Sequence, residues 1–181
     1  LGPCGSRWGR ALPAAAPETF SEGLLAHTAN TGTLEYNTAD GTRWFLHALG
    51  RHVARTGDLD LAATIIPAVD DIVDRHISGT RYNIGVDAAD GLLSQGEEGL
   101  ALTWMDARIN GAAVTARIGK AVDINALWIN GLRPIPDIHH KLGHPPGAPP
   151  SLIHLYPKSS PQPFLPRTGP RPPRPPPPPH A

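Results

Sequence analysis

A single cysteine, Cys4, stands in a chain of 181 residues. This excludes an internal disulfide framework and fits a reducing compartment, here taken as the cytoplasm. Net charge is missing too. The 16 Lys and Arg balance 16 Asp and Glu, so no global field favours nucleic acid or an anionic membrane. No apolar run reaches the roughly 18 residues of a membrane-spanning helix. The opening LGPCGSRWGRALPAAAPETF has Arg7, Arg10 and several alanines but no continuous apolar stretch, so it does not read as a signal peptide. It also has no initiator Met, and the chain reads as a piece of something longer. Residues 1–17 are expected to be a poorly ordered extension. The signatures GxSxG, HExxH, CxxC and the Walker-type loop are absent, and no internal repeat is visible.

Composition breaks near Arg133. From Pro134 onward lie 18 of the 22 prolines, five of the nine histidines and one acid, Asp137. Such a segment buries too little apolar surface to offset its ordering entropy, and polyproline II is its expected local form. Three origins fit residues 134–181. One is a frameshift in a GC-rich gene, suggested by the abrupt end of the helical pattern at DINALWINGL. The second is an unstructured native tail, and the third is a ligand for a proline-recognition domain. His139, His140, His144 and His154 suggest a metal site only weakly, because nothing in the tail would pre-place them; no metal or cofactor is expected.

The first 133 residues carry helical spacing. In TADGTRWFLHALGRHVARTGD, Thr38 or Asp40 is suited to cap a helix whose apolar stripe is Trp44, Phe45, Ala48, Leu49 and Val53, stopped by Gly57. A second helical pattern runs through Leu61, Ile65, Val69, Ile72, Val73 and Ile77 to Gly79, with Pro67 as a kink or a new first turn. TRYNIGVDAADGLLSQGEEG reads as a long loop with a small hairpin around Tyr82, Ile84 and Val86 and a turn at Asp90-Gly91. VDINALWINGL is helical again. The expected class is all-α, a helical hairpin with insertions on one side.

Three groups could carry chemistry. Asp106, in TWMDARING, follows Trp104 and Met105. Apolar neighbours desolvate a carboxylate and favour its protonated form, as a general acid requires. The bland alternative is a loop acid paired with Arg108 or Arg117. In EYNTADGTRWF, Tyr36 and Trp44 offer flat apolar faces while Asn37, Thr38 and Asp40 offer short polar arms, the mixture a sugar ring needs. On spacing alone, Trp44 falls on the apolar stripe and reads as core, with Asp40 as a cap. Arg117, Lys120 and Asp123 form the third group. RIGK is suited to clamp an anion or to fix a loop, and Asp123 at a helix start is favoured by the dipole.

Together, EYNTADGTRWF, HISGTRYNIGVDAADGLLSQGEEGLALTWMDA and RIGKAVDINALW resemble the C-terminal glucosidase domain of bacterial-type glycogen debranching enzymes, over about residues 18 to 132. The resemblance implies a partial (α/α)6 barrel over residues 18–133, with its active site in the loops at one end. It implies hydrolysis of α-1,6-linked glucose at a glycogen branch, with inversion and without a cofactor. Asp106 takes the place of the general acid. Tyr36, Asn37 and Asp40 line the sugar site, and Trp44, Trp104, Arg117, Lys120 and Asp123 join them as candidate sugar contacts. The partner expected is glycogen or a branched α-glucan. Two departures stand out. Arg43 occupies an otherwise apolar helix start, and Asp123 replaces the usual glutamate with a chain one methylene shorter. The base of inversion, which in the family comes from later in the chain, is expected to be absent here, leaving this chain alone inactive. The competing expectation is a non-catalytic helical carbohydrate-binding remnant, or an interaction protein that uses its proline-rich tail.

Overall fold

The computed structural model describes residues 20–26 and 34–144. Four helices dominate them. α1 spans Gly41–Thr56, α2 Leu59–Ser78, α3 Val122–Leu132 and α4 Ile135–Lys141. Between them run three antiparallel ladders of two residues per strand: β1 (Phe20–Ser21) with β2 (Leu24–Leu25), β3 (Gly85–Val86) with β4 (Leu93–Ser94), and β5 (Arg108–Ile109) with β6 (Ala112–Ala113). The fold is therefore helix-rich rather than all-α. The small ladders arise where glycine-bearing turns let a loop fold back on itself, as at Asp90-Gly91 between β3 and β4.

α1 buries Phe45, Leu46, Leu49 and Val53, and stops where Gly57 takes φ 67 and returns its N–H to the Val53 carbonyl. The partition at the start of the helix differs from the apolar-stripe reading. Arg43 points in and is fully buried, while Trp44 points out and keeps 54% of its surface exposed. Asp40 occupies the cap position, but its carboxylate does not bond the helix N–H groups; its Oδ1 accepts from Thr38 Oγ1 at 2.6 Å instead. The Asp58 carboxylate caps α2 by accepting from Leu61 N at 3.1 Å. α2 runs unbroken through Pro67, its buried Ile65, Ile66, Val69, Ile72 and Val73 holding the helix on both sides of the missing N–H.

α1 packs chiefly against α3, and two glycines permit close approach. A Cβ on Gly131 would lie 2.8 Å from Leu46 Cβ, and one on Gly50 would lie 2.3 Å from Pro134 Cγ. Pro134 leads into α4, so residues Ile135–Lys141 at the start of the proline-rich stretch are helical. Ile135 and Ile138, one turn apart, are buried with His139, and Pro136 sits in the first turn, where its missing N–H removes no helical bond. His139 is tied to α2 through Asp70 Oδ1 at 3.0 Å and meets His144 Nδ1 at 2.8 Å. The extension 1–17 and residues 145–181, where the remaining tail expectations fall, lie outside the described residues. No described helix is long and apolar enough to cross a membrane.

Candidate active site

The N-terminus of α1 sets Asp40 and Trp44 four residues apart on one face. α3 sets Asp123, Ala126, Leu127 and Asn130 on another by the 3, 4, 7 spacing of a helix. With Trp104, from the loop before β5, these residues line an open cavity of about 430 Å³. Trp104 is 67% exposed, so two indoles, two carboxylates and one carboxamide surround the space. Large exposed apolar side chains that converge on a concavity mark a binding surface more specifically than isolated ones do.

Asp123 is the electrostatic centre. Its Oδ2 accepts from Trp104 Nε1 at 3.0 Å and from Arg117 Nη1 at 2.9 Å, and its Oδ1 accepts from Arg117 Nη2. The Arg117 hydrogen bonds hold the carboxyl below its ordinary range, with smaller help from a backbone N–H and the indole. Asp123 is thus an anion that accepts hydrogen bonds, not a proton donor. The helix start contributes, but the bidentate guanidinium dominates.

Asp106 is placed differently from the expectation. It is exposed, Trp104 turns toward Asp123, and Met105 is 37% exposed, so the apolar shield read from TWMD is not built around the carboxylate. Nor is Asp106 paired with its expected arginines. Arg108 donates to the carbonyls of Gly99 (2.9 Å) and Gly111 (3.3 Å), and Arg117 is committed to Asp123. Asp106 does not line the cavity, although it lies two residues along the chain from Trp104, which does.

The other candidates separate into two groups. Asp40, Trp44, Trp104 and Asp123 meet at the cavity, and Arg117 reaches it through Asp123. Tyr36 is half-buried against the core, with the Arg81 guanidinium 5.2 Å from its ring centre. Asn37 Nδ2 donates to Glu35 at 3.3 Å, while its buried Oδ1 has no protein partner. Lys120 laces two loops together through Asp87 (2.6 Å) and Asp90 (2.7 Å) rather than facing the cavity. Sequence reasoning missed Ala126, Leu127 and Asn130, although their spacing from Asp123 on a helix was available as a signal. Among the described residues no cluster of three His, Cys, Asp or Glu is placed to hold a metal.

A family model described as amylo-alpha-1,6-glucosidase matches residues 13–147, a span that includes every cavity-lining residue and α4. No curated protein matches the chain.

Proposed function

The chain belongs to the amylo-alpha-1,6-glucosidase family, and we propose that the Trp44–Trp104 cavity takes an α-linked glucose unit of glycogen or another branched α-glucan. The observation that carries this reading is the pair of exposed indoles beside Asp40 and Asp123. A pyranose has apolar C–H faces that stack on an indole and rigid hydroxyls that donate to carboxylates. Asn130 adds an amide able to donate and accept.

In this reading the reaction is hydrolysis of the α-1,6 bond with inversion, inside an (α/α)6 barrel to which the four helices contribute. Asp106 protonates the departing glycosidic oxygen. A second carboxylate activates water from the opposite face, about 6.5–9.5 Å from the acid so that the water fits between. Asp123 is unsuited to be that base, because both its oxygens are already engaged by Arg117 and Trp104. The family resemblance implies a base that comes from outside the described residues. The exposure of Asp106 favours a second reading, in which the same cavity binds α-glucan without catalysis.

Calorimetric titration with isomaltose and with a glucosyl-branched dextrin tests the shared part of both readings. Trp44→Ala and Trp104→Ala are each expected to weaken binding by about tenfold, on the scale of a lost aromatic contact. Unchanged affinity in the double variant would exclude the cavity as the sugar site.

A further inference from the structure

Trp104 lies in a loop and is mostly solvent-exposed, yet its indole is not free to swing. Nε1 is held to Asp123 Oδ2 at 3.0 Å, across 19 residues of chain. Asp123 is in turn gripped on both oxygens by Arg117, whose Nη1 also lies 3.5 Å from Thr103 Oγ1, on the residue before Trp104. The guanidinium therefore reaches the residue before Trp104 through Thr103 Oγ1 and the indole edge through Asp123.

The backbone of Arg117 is fixed as well. Its φ is 51, a left-handed conformation that non-glycine residues adopt only when their surroundings impose it. Its carbonyl accepts from Nε2 of the buried Gln95 at 2.5 Å. Gln95 also exchanges backbone hydrogen bonds with Gly119, at 3.1 and 2.7 Å. A buried amide thus pins the loop that presents the guanidinium. Arg117 itself does not line the cavity.

We infer that Arg117 is a positioning residue: through Asp123 it locks the Trp104 indole as a rigid sugar platform at the cavity mouth and does not itself hold the sugar. The inference rests on the reading of the cavity as a glucose site and adds the device that preorganises it. Rigidity matters because each rotamer-rich group ordered on binding subtracts from affinity, and a pre-set aromatic plane avoids that loss. Lysine cannot substitute. Its ammonium is a point charge on a flexible stem, whereas holding both carboxylate oxygens in one plane needs the guanidinium fork.

The test uses the 181-residue chain, ¹H–¹⁵N spectra of its indole groups, and isomaltose as probe. Trp104→Phe assigns the Trp104 signal. In Arg117→Lys the Trp104 indole N–H is expected to shift and broaden while the buried Trp128 signal stays in place, and isomaltose affinity is expected to fall about tenfold. Asp123→Asn, which keeps an oxygen for the indole but loses the charge gripping Arg117, is expected to do the same and serves where Arg117→Lys loses the Trp128 signal. An unmoved Trp104 signal in both variants overturns the inference. Unmoved Trp104 together with lost affinity also overturns it, because Arg117 would then contact sugar directly. A wild-type chain that binds no isomaltose, with the Trp104 signal still displaced in the variants, overturns the sugar reading while leaving the clamp intact.

Discussion

His76 stacks on Trp128 inside the helical core, with ring centres 5.2 Å apart and planes 24° apart. Its Nδ1 meets the Ile72 carbonyl at 2.6 Å; a carbonyl only accepts, so Nδ1 carries a proton and donates it. Arg43, also fully buried, bonds the Ala39 carbonyl through Nη1 but leaves Nε and Nη2 without protein partners. Burial and the nearby Arg43 charge push His76 down to about 3. Burial pushes Arg43 itself down to about 9, with Asp40 opposing.

The first prediction is acid sensitivity. A histidine whose folded pKa is depressed contributes stability that is fully present above its ordinary 6.5 and is lost as pH falls toward 3. The full loss amounts to about 5 kcal/mol at roughly 1.4 kcal/mol per pH unit. Urea midpoints measured between pH 7 and 4 should fall steeply in the wild type and less steeply in His76→Phe, which keeps a ring against Trp128. Parallel declines would clear His76 of the effect.

Arg43→Leu should stabilise the fold. A buried charge with most of its donors unsatisfied is a liability, and apolar replacement of buried ionic groups commonly gains about 1–4 kcal/mol. Removing Arg43 also removes one of the two causes depressing His76, so the acid limb should flatten. Denaturant unfolding at pH 7 decides it: a lower midpoint would mean that the guanidinium is better accommodated than its bonding shows.

Gly50→Ala and Gly131→Ala should both destabilise. Alanine gains about 1 kcal/mol of helix propensity over glycine. Against that, the new Cβ would stand 2.3 Å from the Pro134 ring in one case and 2.8 Å from Leu46 Cβ in the other. Neither neighbour is the flexible end of a side chain, so helices must separate, at about 1–3 kcal/mol or more for overpacking. Thermal unfolding that shows either variant more stable would argue against the close packing of α1 with α3 and α4.

Asp106→Asn tests the catalytic assignment, in a complete glucosidase of this family carrying residues 20–144 of this chain. Asn keeps the size and removes the proton. Turnover of an α-1,6 glucoside should drop roughly 10²-fold or more. Hydrolysis of α-glucosyl fluoride should suffer much less, because fluoride departs without protonation. Equal losses on both substrates would make Asp106 a residue that only orients the sugar.

What was legible in the sequence follows from how local each signal is. α1 and α2 show in the spacing of Leu49, Val53, Ile65, Val69 and Ile72, and their ends in Gly57 and Gly79, because helix periodicity and caps are written within a few residues. The inward turn of Arg43 was not legible, since residue type argues for solvent and only the packing of α1 on α3 forces it inside. α4 was hidden because proline content was averaged over a long stretch, masking Ile135 and Ile138. The turn between β5 and β6 is written locally in Asn110-Gly111, both at positive φ, a dipeptide that signals a hairpin. Asp106 and Asp123 were recognisable as candidates. The bonds that distinguish them were not, because Trp104 to Asp123 is a contact between loop and helix that no local pattern encodes.

The most direct test of the central claim, that the cavity between α1, α3 and Trp104 is the α-glucan site, is a titration of the 181-residue chain with a glucosyl-branched maltooligosaccharide followed by ¹H–¹⁵N spectra of its indoles. The account predicts saturable movement of the Trp44 and Trp104 signals with Trp128 unchanged, and no movement with cellobiose. Still signals at Trp44 and Trp104, or movement confined to Trp128, would contradict it.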